Sequence, residues 1–374
     1  MRPVRLLLET RNAAVCVTEG RIVPASGKFD ARVRIPNGEL RPGLINAHEH
    51  LHRNHFGRLG RPPYVNAYDW GRDIHRHDAW AIARAREMPR RAALLRGAWK
   101  NLFAGVTTVA HHDRWERTFS QHFPLRVASL PSAHSLGFEP GLKAAEGGGP
   151  FAVHLAEGTD AASADEIRAL EQRGLLNERL VAVHVVGADA DGIARLRASG
   201  AAVVWCPSSN RFLFGRTMPA ALLAEGIDVL LGSDSLLTGE GSLLTELRVA
   251  RGLGLVSDAR LEGAVGDVAA RRLGLAPPSL EVGARADLVV LTRPLLDATE
   301  ADVALVMVAG ELRVLAPELV PQLGRLGERG QVVAAAGLPR WVTGQGSRSA
   351  GLSCAPWRER SVEPSLDASR MARA

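Results

Sequence analysis

The chain has 374 residues, of which 46% are hydrophobic and 23% charged, with 38 Gly and 21 Pro; this ordinary globular composition argues against global disorder and suits two or three domains, or one large barrel with a companion. No run approaches the ~20 apolar residues of a membrane span, the opening MRPVRLLLET lacks the apolar core of a secretory signal, and Cys16, Cys206 and Cys354 offer neither a disulfide framework nor a cysteine zinc site. The expectation is a cytoplasmic protein without a membrane partner; the net charge of +6 raises nucleic acid, but only Lys28, Lys100 and Lys143 of the 46 basic residues are lysines, and the arginines are spread without a cluster, so no nucleic-acid partner is expected.

From Val4 to about Ile35, short alternating runs separated by Gly, Asn and Asp read as a small antiparallel β-region. The middle, 41–280, alternates apolar runs with helical stretches. Strands are expected at 43–47, 106–110, 125–130, 150–155, 180–185, 201–205 and 227–232, and helices at 88–103, 162–173, 189–199, 218–226 and 242–253. Continuous apolar runs without polar alternation suit a parallel sheet buried on both faces, so the pattern favours a (β/α)8 barrel or a doubly wound sheet. An eighth strand belongs between 131 and 149, where SAHSLGFEP is a poor strand sequence. Strand texture returns at 288–292 and 303–315, the latter with an AGE turn, and predicts a composite β-domain from residues 1–40 and 281–340. A helical stretch follows at 317–335, and 346–374 reads as a flexible tail.

The chemistry gathers at the ends of the apolar runs. In PGLINAHEHLH (42–52), His48 and His50 lie two apart and share one face of a strand, a geometry suited to chelation, although His52 offers a competing pair with His50. His154 ends FAV and is followed by Glu157, His184 ends VAV, and Asp234 ends VLLGSD. Polar residues at the carboxyl ends of four separate strands converge at one mouth of a barrel. The dipeptide His111-His112 after VTTVA is expected to send one imidazole into that mouth, with His111 taken as the substrate contact. Asn210 in SSNRF is a second candidate contact, and Trp205, Phe212, Phe214 and Arg211 are weaker ones.

Together these motifs resemble the metal-dependent amidohydrolase superfamily, in its deaminase-like branch of cytosine, guanine and S-adenosylhomocysteine deaminases and triazine hydrolases. The resemblance spans nearly the whole chain: PG-x-x-x-x-H-x-H at 42–50, HLAEGTD at 154–160, VHVVG at 183–187, WCPSSNRFLFG at 205–215, LGSDS at 231–235, VGARADLVVL at 282–291 and VMVAGELRV at 306–314. It implies an α/β fold with a (β/α)8 TIM barrel over 41–280, one strand degenerate, beside a small composite β-sandwich built from both chain ends.

The resemblance further implies that His48, His50, His154 and Asp234 ligate one divalent metal, zinc first, with iron or manganese as alternatives. Asp234 would also take a proton from the water on that metal, His184 would hydrogen-bond the nucleophile or the developing oxygen, and Glu157 would shuttle the proton to the substrate. The implied enzyme is a hydrolase of non-peptide carbon–nitrogen bonds, deaminating an amino- or imino-substituted N-heterocycle. Cyclic-amide opening or dehalogenation on the same scaffold is the enzymatic alternative, and a non-catalytic binding protein is weighed against an intact ligand set. None of the three lysines ends a strand in the middle region, which disfavours a carbamate-bridged metal pair. The partner is a small, heterocyclic substrate; relatives with this scaffold often form homo-oligomers. The stretch between VTTVAHH and HLAE is short, so substrate identity does not transfer from any named deaminase.

Overall fold

The computed structural model describes residues 4–139, 141–142, 148–224, 226–335 and 337–343. Eight parallel strands form two arcs. Leu44–Glu49, Val106–His111 and Arg126–Ala128 pair in chain order. Ser132–Ala133, Phe151–Leu155, Leu180–His184, Ala202–Trp205 and Val229–Leu231 pair likewise in the second arc. Seven of these match the expected strands within two residues. The eighth is Ser132–Ala133, only two residues long, in the segment whose sequence argues poorly for a strand. The arcs meet where the backbone N–H groups of Ser233 and Asp234 both donate to the His48 carbonyl at 3.1 Å.

Every residue of the Leu44–Glu49, Val106–His111 and Phe151–Leu155 strands is buried, which is why these runs show no polar alternation. Arg90–Phe103, Ala161–Gln172, Ala190–Ser199 and Leu243–Leu253 form the expected helices. Asp160, Asp189 and Ser242 cap three of them, each accepting a backbone N–H, and Gly200 and Gly254 stop two in left-handed conformation. The helix expected over 218–226 shrinks to Ala220–Leu223.

The N-terminal strands Leu6–Thr10, Ala14–Thr18, Arg21–Val23 and Ala31–Ile35 make a four-stranded sheet that is not wholly antiparallel, because Leu6–Thr10 runs parallel to Ala31–Ile35. Glu39–Pro42 leaves it to join a six-stranded sheet beside Leu288–Leu291, followed outward by Val303–Val308, Glu311–Leu315, Leu338–Thr343 and Gly330–Ala335. One apolar cluster joins both sheets, including Leu6, Val33, Leu40, Leu288, Leu305 and Leu315. Ala309 and Gly310 make the tight hairpin turn with φ of 50° and 75°.

The helical expectation over 317–335 is corrected. Residues Pro317–Arg329 wind as 3-10 turns broken at Gly324, and Gly330–Ala335 is a strand; Pro321 denies the stretch a continuous helix, and QVVAA alternates exposed and buried. The tail expected at 346–374 lies outside the described residues. No helix among the described residues is long and apolar enough to cross a membrane.

One close approach ties the helical layer to the strand end that carries His48. Helix Arg90–Phe103 crosses the Leu51–Arg53 turn so tightly that a Cβ on Gly97 would meet the Leu51 carbonyl oxygen at 2.2 Å. Backbone cannot step aside as a side chain can, so Gly97→Ala is expected to cost ~1–3 kcal/mol. Thermal and denaturant unfolding check this, and an unchanged midpoint would mean the helix shifts freely.

Candidate metal centre

The strand bearing the first two histidines departs from regular alternation. Asn46 and Glu49, three apart, both reach the Asn101 side chain of the neighbouring helix, at 2.9 Å each. They do so because pairing with Val106–His111 slips by one residue between Asn46 and Glu49. The bulge leaves Glu49 turned to the helix while His48 and His50, on either side, turn inward.

There they meet residues from two distant strand ends. His48 Nε2 lies 3.3 Å from His154 Nε2 and 3.7 Å from Asp234 Oδ1, and His50 Nε2 lies 3.8 Å from the same oxygen. All four residues are buried. Burial, then the neighbouring imidazoles, push the proton affinities of His48 and His154 well below the ordinary range, and burial lowers that of His50 despite the Asp113 carboxylate. Neutral imidazoles with lone pairs facing one another, and a carboxylate beside them, form a donor set short of a positive charge. A divalent cation fits it.

The supporting contacts orient these donors. His50 Nδ1 donates to Asp113 Oδ2 at 2.8 Å, leaving Nε2 bare toward the cluster. Ser209 Oγ and Thr238 Oγ1 donate to Asp234 Oδ2 at 2.8 and 2.7 Å, leaving Oδ1 to face the imidazoles. Burial alone would raise the Asp234 pKa, but His50, His184 and these two hydroxyls outweigh it and hold it below its ordinary value. Ala156, His184 and Asp234 take left-handed backbone, with φ of 49°, 72° and 51°. This conformation costs an L-residue roughly 1 kcal/mol or more, and it breaks the strand pleat where side chains must be re-aimed.

Glu157 sits between two histidines: Oε2 is 3.6 Å from His154 Nδ1 and Oε1 is 3.6 Å from His184 Nε2. Burial pushes its carboxyl up to about 7, with Asp234 adding to the rise and His184 opposing it. The preceding Ala156 N–H donates to Glu166 Oε2 at 2.9 Å, and Glu166 also accepts from Tyr68 Oη at 2.5 Å. Above the cluster opens a cavity of about 1080 Å³, whose floor includes His50, His154, Glu157, His184 and Asp234. Its walls come from Ala67–His77, Ala79–Arg86 and residues 134–139, with Tyr68, Trp70 and Phe138 as flat surfaces.

The two expected substrate contacts are corrected in position. Ala110 packs at the strand-lined centre with Ile45, Ala47 and Ala152, so alternation turns His111 outward and the next residue inward. His111 lies edge-on to Phe119 and does not line the cavity. It falls beside His52 and Asp113, a trio unsuited to a cation, since Leu51 N–H donates to His111 Nδ1 and leaves the ring proton on Nε2, while Arg53 lies 3.8 Å from Asp113. Asn210 is fully buried and bonds His184 Nδ1 through Oδ1 at 2.9 Å; it orients His184 and does not reach the cavity. Trp205 is buried and donates to Thr217, Phe214 is buried, and Arg211 stays on the surface.

A polar network beneath the site escapes sequence reading. Lys100 Nζ lies 2.7 Å from Glu49 Oε2, which also accepts from Asn101 at 2.9 Å and Ser233 Oγ at 3.0 Å, while Asn54 donates to Oε1 at 3.1 Å. Lys100 is thus committed to a carboxylate. Glu246, also buried, anchors a different element: it accepts the Ser208 N–H at 2.9 Å and the Ser208 hydroxyl, pinning the start of Pro207–Phe214, the helix that carries Ser209 and Asn210.

Residues 143–313 match a family model described as the amidohydrolase family. The chain is similar to an aminodeoxyfutalosine deaminase of Deinococcus radiodurans, with 43% identity over 75 residues, 20% of this chain and 18% of the relative. It is 37% identical over 123 residues to a 5-methylthioadenosine/S-adenosylhomocysteine deaminase of Syntrophus aciditrophicus, covering 29% of this chain and 28% of that one. The matched segments therefore span less than a third of these relatives. A zinc-bound adenosine deaminase from Xanthomonas campestris superimposes with a TM-score of 0.64 at 19% identity, covering 87% of this chain and 97% of that one, and thereby indicates a TIM-barrel fold.

Two outcomes are expected from these contacts. Asp113→Asn should weaken divalent-metal retention by roughly 10–100-fold, read by chelator competition, because it loosens the hold on His50. Burial raises Glu246 from its ordinary 4.5 to about 8, so the folded state keeps a proton that the unfolded chain releases. The stability this lends is fully present below pH ~4.5 and is lost as pH rises toward 8. Glu246→Gln, which can still accept from and donate to Ser208, should therefore gain on the native protein between pH 5 and 8 in denaturant unfolding; parallel pH curves would refute this.

Proposed function

Because residues 143–313 match an amidohydrolase-family model and parts of the chain are similar to deaminases, we propose that it belongs with the deaminase-like branch of that family and is a metal-dependent hydrolase of non-peptide carbon–nitrogen bonds that deaminates an amino- or imino-substituted N-heterocycle. The observation that carries this reading is Glu157, suspended between His154 and His184 over the imidazole–carboxylate cluster at the floor of the cavity. The reading takes His48, His50, His154 and Asp234 as holders of one divalent ion, zinc first, with iron or manganese as alternatives. When bound, that ion supplies Lewis acidity and a water acidified toward neutrality.

The chain's own residues do the rest. Asp234 Oδ1, left bare by the hydroxyls on Oδ2, is placed to take the first proton. Glu157 is placed to deliver one proton of the added water to a ring nitrogen and the second to the departing amine, since its oxygens reach both histidines and open to the cavity. His184, held through Nδ1 by Asn210, keeps Nε2 toward the reacting centre. Tyr68, Trp70 and Phe138 offer faces for a flat ring. Commitment of Lys100 to Glu49 supports a single-ion site. The same reading closes the eight parallel strands into a (β/α)8 barrel and takes the two flanking sheets as a composite β-sandwich of residues 1–40 and 281–340.

Ammonia release from adenosine, 5-methylthioadenosine, S-adenosylhomocysteine, free purines, pyrimidines, pterins and triazines tests the reaction, with metal analysis expected to show near one ion per chain. Glu157→Gln should lower kcat by ~100-fold or more while metal content stays unchanged, because it removes a proton carrier and no ligand. Unchanged turnover would defeat the role given to Glu157, and two ions per chain would defeat the single-ion reading.

A further inference from the structure

Besides the three expected ligands and His184, a fifth imidazole crowds the point where Asp234 faces the strand ends. It is His112, which the sequence places beside His111 and which no proposed role yet uses. Its ring centre lies 4.8 Å from that of His48, 5.5 Å from that of His50 and 4.0 Å from that of His154. The three expected ligands lie 4.9–5.5 Å from one another. One nitrogen of His112 lies within 4.8 Å of one from each of His48 and His154.

The hydrogen bonding settles which nitrogen is free. His112 Nε2 lies 2.9 Å from the Ala133 carbonyl oxygen, which can only accept, so Nε2 carries the proton. Nδ1 of the neutral ring is then a bare lone pair, and it is buried with no hydrogen-bond partner, on a residue only 3% exposed. A buried acceptor left unmet costs roughly 1–3 kcal/mol. Ligating histidines characteristically give their other ring N–H to a backbone carbonyl, as His112 does.

Resting on the metal reading of the site given above, we infer that His112 Nδ1 is a further ligand of the divalent ion, so that four imidazoles and Asp234 hold it. His112 now stacks on His154 with an interplanar angle of 16°. A shared ion requires one ring to turn. His154 is the freer of the two, since its Nδ1 is only loosely met by Glu157 at 3.6 Å.

X-ray absorption on the cobalt-loaded full chain counts coordinated imidazoles and tests this directly, alongside chelator competition on the native protein and His112→Phe. Phenylalanine keeps a flat ring against His154 and removes both nitrogens. The expected result is four imidazoles in the native protein, three in the variant, and an affinity lower by roughly 10–100-fold. Circular dichroism and thermal unfolding establish that the variant is folded; if it is not, the native count alone decides between four and three. Three imidazoles in a native protein that binds one ion and releases ammonia would overturn this inference and leave the proposed function standing, as would equal affinity in a folded variant. A native protein that binds no divalent ion would overturn both.

Discussion

A single buried carboxylate, that of Glu49, holds the site together. It lies between two inward-facing histidines yet points the other way, and it draws donors from helix Arg90–Phe103, from Asn54 beyond the next turn and from Ser233 at another strand end. A carboxylate buried against Lys100 is costly to strip of its partner. Its geometry is therefore narrowly set. Moving Glu49 would move His48 and His50, and through Ser233 it would move Asp234. The bulge between Asn46 and Glu49 lets one strand serve this anchor on one face and the donor cluster on the other.

The cluster itself stores unfavourable terms that an ion can relieve. Burial strips protons from the imidazoles, Asp234 stays charged, and the backbone at Ala156, His184 and Asp234 adopts a left-handed conformation that their side chains resist. Hydrogen bonds with Asp113, with Ser209 and Thr238, and with Asn210 hold His50, Asp234 and His184 each at one orientation. Much of such a site is organised before its ion arrives, and metal binding and folding stability must be coupled in it.

What the sequence makes legible is the strand ends. His48, His154, His184 and Asp234 each terminate an apolar run, and a run buried on both faces can only emerge at a rim. The supporting residues are illegible because their partners are remote: Lys100 and Ser233 lie 51 and 184 residues from Glu49, and nothing local marks the pairing. Parity at a strand end is equally hidden, so His111 and His112 exchange their expected places although the dipeptide itself is a clear signal. Helices Ala67–His77 and Ala79–Arg86 escape because they bury only Ala67, Ile74 and Ile82, too few for a periodic stripe. The strand Gly330–Ala335 hides behind a run of helix formers broken by Pro321 and Gly324.

The cavity's floor and walls come from different kinds of chain. The floor is built of strand-end residues locked into shared networks, whereas the walls are carried by two short helices between Ala67 and Arg86 and by residues 134–139. The two meet at a few named points, the Ala67 N–H on the Glu157 carbonyl, the Tyr68–Glu166–Ala156 relay and His134 beside Asp113, so changes at other wall positions need not disturb the donors below. Variation can then act on two nearly separate traits. Drift in the wall segments would retune which molecules are admitted while the reaction is kept, and the reverse path, a new reaction behind the same entrance, is closed by the tightly coupled floor.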